Sequence, residues 1–504
     1  MARKGIEKQF PYLRMLSEKQ VEDIHKATMD VLMTTGVRMD SDKALDILEK
    51  AGATVDRAEH RVRIPENMVT DALANTPHEL FVKARNPENS LNMVPGKTTY
   101  FMNSCGFDLH DPETGTNFTP SRKEFYDYVR LIDAMPNVDL QDCFPTWGFA
   151  KVPQCMRLLE SNAAKLRVSD KAMMEGTVLD NYKFIIEMAE ATDQDILQLV
   201  NPLSPLTYTE TVIEQMFYTA DHDQPYHLCP GPVAATNAPC TVAGLLAEEN
   251  AVILAGIVLA QLYKPNTRLW VGSLTLATNM ASLAPCFGDV LNSIAEAGFV
   301  QIWNDYYRIP CWTSASAWTN SKRVDYQAGY ELTLGMLVGV LSGSNMVSYQ
   351  GGLTAELSVC VEKLLVDDDV AGMVKRLMQG IEVSEDTLAL ETIDEVGPMP
   401  GSFITTEHTL DFWEMDTYLP KVADRTGYEQ WMKAGMPTAV DHAKDRKKQI
   451  LDSFEDKKLT DEQEKAIEDI LQKAREYYRA NGTITDEEWA IYQEDLNSPN
   501  YPYA

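Results

Sequence analysis

Three of the eight tryptophans in this chain, Trp303, Trp312 and Trp318, fall within sixteen residues that also hold Tyr306 and Tyr307. Part of that stretch, Ile309 to Trp318 (IPCWTSASAW), reads as a strand with Trp312, Ser314, Ser316 and Trp318 on one face. Large rings beside small hydroxyl residues describe a cavity wall better than a filled core. Electron-rich ring faces without a fixed charge suit a quaternary ammonium group. Clustered aromatics also build cores and subunit interfaces, so these residues alone leave that choice open.

The other chemistry-bearing residues are sparse. Of eight histidines, His25, His60, His78 and His442 fall outside the segments that read as loop starts. His110 adjoins a DPETG turn and His222 precedes a strand. His227 (QPYHLCPG) sits on a predicted strand, and His408 (TTEHTL) on the last loop. No GxxxxGK[ST], strand-borne GxGxxG, GxSxG or HExxH is present, so nucleotide, dinucleotide, hydrolase and zincin chemistries find no support. The cysteines at 105, 143, 155, 229, 240, 286, 311 and 360 form no CxxC. That spacing argues against a disulfide scaffold and a sequence-local zinc site. A site assembled from distant residues such as Cys229, Cys311 and His408 stays open.

A net charge of −30 over 504 residues repels nucleic acid and anionic membranes and favours cationic ligands. The start, MARKGIEKQF, has no apolar h-region, and no run approaches the 18 apolar residues of a membrane span. The expected location is cytoplasmic.

Residues 1–96 read as an α+β extension, with a capping box at Ser17–Gln20 and helices ending near Gly36 and Gly52. Lys97 to Thr119 reads as strand, turn, strand. From Arg122 onward strands and helices alternate. Strands are expected at Val138–Phe144, near Val168, and at Ile196–Val200, Tyr226–Cys229, Arg268–Ser273, Ile309–Trp318, Met346–Tyr349 and Phe403–Thr405. Alternation of this kind implies parallel strands with helical crossovers. The expected fold is α/β: a (β/α)8 TIM barrel over 97–445 with an N-terminal α+β extension and an acidic helical C-terminal tail over 446–504. A doubly wound sheet is the alternative. In a barrel, chemistry belongs at the C-terminal strand ends. The tail, with capping boxes at Thr460–Gln463 and Thr485–Glu488, reads as a solvated surface hairpin or a subunit contact.

The order of segments resembles the trimethylamine methyltransferase family. The resemblance is carried by LSEKQVEDIHKATMDVLMTTGV (16–37), HRVRIPENMV (60–69), ARNPENSLNM (84–93) and LHDPETG (109–115). It continues through NPLSPLTY (201–208), AEENAVILAGIVLAQL (247–262), DYQAGYELTLGML (325–337), GGLTAELSVCVEKLLVDDDVAGMVKRLMQGIEV (351–383) and LETIDEVGPMPGSFITTEHTL (390–410). The resemblance implies a (β/α)8 barrel that passes a methyl group from an amine to cobalt of a corrinoid (cobalamin) on a separate, cognate corrinoid protein. Members that use pyrrolysine carry it on the barrel. This chain reads as standard residues, so it looks like the branch that takes quaternary amines such as glycine betaine, proline betaine, carnitine and γ-butyrobetaine.

On that reading no residue acts as a catalytic acid, base or nucleophile, and no zinc or nucleotide is expected. The protein supplies position for Co(I) attack. Candidate substrate-binding residues are Tyr100, Phe101, Asn103, Trp147, His227, Trp312, Trp318, Lys322, Tyr349, Gln350, His408 and Phe412. Lys322, Arg323, Arg308, His227 or His408 would meet a betaine carboxylate. A homo-oligomer is expected, with no nucleic-acid or membrane partner. Two other readings keep the fold: a zinc-dependent corrinoid:thiol methyltransferase, and a non-catalytic binding scaffold.

Overall fold

The computed structural model describes residues 5–104, 106–142, 146–499 and 501–502. Cys105, Cys143 and Phe144, named above, lie outside them. Eight parallel strands close into a barrel: β1 Tyr100–Met102, β2 Leu140–Gln141, β3 Ala172–Glu175, β4 Ile196–Val200, β5 Tyr226–Leu228, β6 Leu269–Ser273, β7 Cys311–Thr313 and β8 Met346–Ser348. Each is followed in the chain by a helix: α1 Arg122–Ala134, α2 Gln154–Val168, α3 Tyr182–Ala191, α4 Glu210–Asp221, α5 Val242–Tyr263, α6 Val290–Gln301, α7 Tyr326–Ser342 and α8 Val361–Met378. Closure comes through β1, which pairs with β8 at Met346↔Tyr100 and with β2 at Met102↔Leu140.

Two of the expected barrel strands are misplaced in sequence. Val168 ends a helix, and the strand follows at Ala172–Glu175. Phe403–Thr405 forms no strand and lies on the surface, so the eighth barrel position is filled by Tyr100–Met102 instead. The Ile309–Trp318 run is extended only over Cys311–Thr313 before a turn, closed by Ala317 N–H donating to Ser314 O at 2.7 Å.

The N-terminal extension seals the bottom of the barrel. Its hairpin, Leu80–Val82 with Leu91–Met93, buries Leu80, Val82, Leu91 and Met93 in one cluster with the lumen residues Tyr100, Leu140, Ala172 and Trp270. Asn345 Nδ2 donates to Val94 O and Thr98 O, both at 2.8 Å, fixing the chain between that hairpin and β1. Water is thereby excluded from the end opposite the mouth. Helices Glu18–Asp30, Asp42–Ala51 and Glu66–Asn75 pack against α5. This contact explains why α5 is apolar on every side. By length and hydropathy α5 matches a membrane span, contrary to the sequence reading, yet 83% of its apolar window is buried in the fold. It is a core helix.

The tail is no solvated hairpin. Helices α9 Ala439–Ser453, α10 Asp461–Ala480 and α11 Asp486–Leu496 bury Ala443, Ile467, Leu471, Ala474, Tyr478 and Tyr492 in the same core as α1, α2 and α3. A buried ion pair of Arg475 with Glu160, 2.8 Å long, is completed by the hydroxyls of Tyr492 and Tyr501.

Candidate active site in the barrel lumen

Strand alternation sends every second side chain inward. The lumen is filled by Tyr100, Met102, Leu140, Ala172, Met174, Leu197, Trp270, Trp312 and Met346. His227 stands among them, its ring 4.5 Å from that of Trp270 and 5.1 Å, edge-on, from that of Trp312. Trp312 donates its indole N–H to Ser348 Oγ at 2.7 Å. Between the strands of His227 and Trp312, β6 carries Gly272, and a Cβ there would lie 2.1 Å from His227 Nε2 and 2.7 Å from Trp312 Cε3. The glycine is required by close approach. Neither ring nitrogen of His227 finds a hydrogen-bond partner among the described residues. Burial lowers its pKa to about 3, so the imidazole is neutral.

Above this floor the strand ends supply polar groups. Asn103 Oδ1 accepts Asp142 N–H at 3.3 Å, and Cys229 Sγ faces its neighbouring carbonyl. Gln350, two residues beyond Ser348, is fully buried, and its amide has no partner among the described residues. Two carboxylates lie just behind the strands. Glu296, on α6, accepts Ser314 N–H at 2.8 Å, Ser314 O–H at 2.9 Å and Ala315 N–H at 3.0 Å, and burial raises its pKa to about 8 despite those bonds. Glu249, on α5, accepts from Ser273 Oγ at 3.4 Å and is pushed well above the carboxylate range by burial. Cys229 is held as a thiol, first by burial and then by the charges of Glu249, Glu296 and Asp142. Lys165 reaches this end from α2 but is paired with Glu175 and the Asp142 carbonyl. The mouth is therefore aromatic, backed by two carboxyl groups whose neutral forms burial favours.

A roof covers it. Trp318, Phe287, Leu276 and Ala317 form a separate cluster, with Phe287 and Trp318 rings 5.6 Å apart, and Leu274 packs against both this cluster and the lumen. Two clefts of about 250 and 630 Å3 lie beneath α9 and touch none of these residues.

Of the twelve substrate-binding candidates named from the sequence, His227, Trp312, Tyr100, Asn103 and Gln350 are thus gathered at the lumen, with Trp318 in the roof. The others are elsewhere. Phe101 and Tyr349 point to the helix layer, ring against ring at 5.7 Å, and Tyr349 donates to Asp368 at 2.7 Å. Trp147 packs on Tyr128 and donates to Gly106 O at 3.1 Å, in the core outside the barrel. Lys322 is exposed, its ammonium on the Asn320 carbonyl. His408 and Phe412 stack on each other along the short helix Glu407–Phe412 at the surface. Cys229 and Cys311 face opposite sides of the barrel wall, one in the lumen cluster and one in the outer core, and His408 is near neither cluster. The proposed zinc set is not assembled.

Sequence reasoning missed Trp270, Glu249 and Glu296. Trp270 alternates with Gly272 inside a strand already recognised. Both glutamates interrupt helices otherwise apolar, and an ionisable group in such a setting is itself a signal.

The sequence matches the model of the trimethylamine methyltransferase (MTTB) family over residues 1–478. The chain belongs to that family. It is a methyltransferase. It is 28% identical to a glycine betaine methyltransferase of Desulfitobacterium hafniense, over 88% of this chain and 93% of the relative. It is 27% identical to a trimethylamine methyltransferase of the same species, over 92% and 94%. A structural likeness with a TM-score of 0.49 and 14% identity, covering 88% of this chain and 90% of the other, relates it to the monomethylamine methyltransferase of Methanosarcina barkeri.

Proposed function

We propose that the chain moves an N-methyl group from a quaternary amine of the betaine type to a corrinoid carried by a separate protein in the cytoplasm. The observation that carries this is the lumen itself: Trp270, Trp312 and neutral His227 below, Trp318 and Phe287 above, and buried carboxylates on two sides. Rings of this kind accept a cation through their faces, each worth on the order of 0.5–2 kcal/mol.

The corrinoid, when docked, supplies the Co(I) electron pair that takes the methyl carbon. As the C–N bond breaks, its pair stays on nitrogen and leaves a neutral tertiary amine, so no proton has to be delivered. The residues fit that demand. His227 is too acidic as an imidazolium to act as a proton donor near neutrality, and Cys229 is held as a thiol. What remains is to hold one N-methyl toward the mouth and keep water away. The unpaired amide of Gln350 suits the far carboxylate. Around the mouth, Phe107, Leu179, Leu203, Met280 and Leu357 stand exposed on the loops after β1, β3, β4, β6 and β8, an apolar rim suited to a docking protein.

The test is methyl-cobalamin formation from cob(I)alamin with glycine betaine, proline betaine, carnitine, γ-butyrobetaine and trimethylamine at equal concentration. Betaine turnover without trimethylamine turnover is expected, because a small symmetric amine lacks the carboxylate that anchors it remotely. Trimethylamine matching the best betaine overturns the assignment.

A further inference from the structure

Gln350 lies outside regular structure, between β8 and the short strand Gly352–Leu353, and no described residue bonds its buried amide. Its two chain neighbours are held instead, each by one of two consecutive aspartates on α8. Tyr349 donates its hydroxyl to Asp368 Oδ1 at 2.7 Å, and Gly351 donates its backbone N–H to Asp367 Oδ2 at 2.9 Å. The Gly351 carbonyl accepts the Cys360 N–H, also at 2.9 Å, just before α8 begins. The third aspartate of the run, Asp369, is occupied elsewhere by the N–H groups of Lys421, Val422 and Ala423.

The loop fits here only as glycine. Gly351 has φ +74°, and a Cβ on it would lie 2.3 Å from Cys360 O and 2.7 Å from Leu364 N. A Cβ on Gly352 would lie 2.6 Å from Ala317 O and 3.0 Å from Trp318 Cδ1. The two glycines are thus wedged between the start of α8 and the roof. Glycine also lets the peptide unit joining residues 350 and 351 turn over at little steric cost. The bond to Asp367 fixes which way that unit faces, and with it the backbone from which the Gln350 side chain leaves.

Burying Asp367 carries a desolvation cost. It pairs with Lys363, one turn earlier on the same helix, at 2.8 and 3.1 Å, and both are buried. Burial raises its pKa, while the Lys363 ammonium and the Gly351 N–H draw it back. A buried pair adds little net stability over apolar side chains of the same volume. What this one contributes is a fixed acceptor.

We infer that Asp367 and Asp368 are positioning residues, clamping the backbone on both sides of Gln350 and so aiming its amide into the lumen. This role rests on Gln350 meeting the far carboxylate of a betaine, as proposed above.

Removing Asp367 alone would strand the Lys363 ammonium in the core, so the test uses a Lys363→Met background. Adding Asp367→Asn keeps an oxygen for the Gly351 N–H, whereas adding Asp367→Leu keeps the volume and removes the acceptor. The leucine variant should raise KM for the best betaine toward the roughly 10-fold expected of Gln350→Ala. It should do so with little change in kcat or in tetramethylammonium affinity, and the asparagine variant should stay nearer the wild type. Tyr349→Phe, which deletes only the hydroxyl, should move KM the same way by about two- to threefold. Amide hydrogen exchange at Gly351 reads the clamp without substrate and should be faster in the leucine variant than in the asparagine variant. Equal exchange in the two overturns the clamp, as does equal KM where Gln350→Ala raises it. Losses in kcat and tetramethylammonium affinity as large as that in KM overturn it too, since they mark general disruption. A wild-type chain that turns over no betaine, or a Gln350→Ala variant with unchanged KM, overturns the proposed use of Gln350 instead, and the exchange comparison still decides the clamp.

Discussion

Replacing Gly272 by alanine perturbs the lumen at its tightest point. The new methyl carbon would stand 2.1 Å from His227 Nε2, 2.8 Å from its Cε1 and 2.7 Å from Trp312 Cε3. Neither ring is free to retreat: His227 is backed by Trp270, and Trp312 is tied to Ser348. Overpacking of this kind costs about 1–3 kcal/mol. In a chain of this length that lowers the melting temperature by only about 1–3 °C. The functional loss should be larger, since a displacement of about 1 Å at a positioning surface costs on the order of 100-fold in rate. Gly272→Ala should therefore lose about 10- to 100-fold in kcat/KM for the best betaine while remaining folded. Adding His227→Ala removes the closest contact and leaves Trp312 Cε3 at 2.7 Å, so the double variant should regain part of the melting temperature lost by Gly272→Ala. The pair should show a coupling of about 1 kcal/mol or more. A neutral Gly272→Ala, or strict additivity with His227→Ala, would refute the packed floor.

Two further outcomes follow from the same geometry. Glu296 titrates near pH 8, and only its ionised form favours a cation, so betaine affinity measured by calorimetry without corrinoid should rise several-fold between pH 7 and 9. Glu296→Gln should flatten that profile, and an unchanged slope would remove Glu296 from the site's electrostatics. Gln350→Ala should raise KM about 10-fold or more for betaines and leave tetramethylammonium binding intact, whereas Lys322→Ala, being exposed and turned to Asn320, should change neither.

The periodic parts of the fold were legible. Helix Arg122–Ala134 and strand Ile196–Val200 begin and end where their apolar patterns do. Short buried runs were not, because periodicity cannot tell the barrel strand at Tyr100–Met102 from a surface turn at Phe403–Thr405. Long-range capture was invisible too. The residues Ser-Ala-Ser after Trp312 include no glycine or proline, and what ends the strand is Glu296 taking the amides of Ser314 and Ala315 from another helix. That is why Trp312 enters the floor and Trp318 the roof, though alternation put them on one face. The aromatic chemistry was visible at 312, while its partner Trp270 was hidden by a strand whose signal was only Trp-Val-Gly.

The placement of the carboxylates bears on how such a site would work. A carboxylate in direct contact with the ammonium would stabilise the bound cation most, and would lose that interaction as the positive charge leaves nitrogen during transfer. Binding energy spent in that way lowers KM and raises the barrier. Here Glu249 and Glu296 instead sit behind Ser273 and Ser314, with pKa values raised by burial, and the groups that face the lumen are rings, aliphatic side chains and neutral amides. Ring faces hold a cation weakly and release a neutral amine readily. A site of this composition holds the cation by its rings, gains from the two carboxyl groups only as they ionise above neutrality, and leaves orientation to Trp270, Trp312 and the amide of Gln350. The steep dependence should then be on lumen shape, as at Gly272, and the shallow one on pH, as at Glu296.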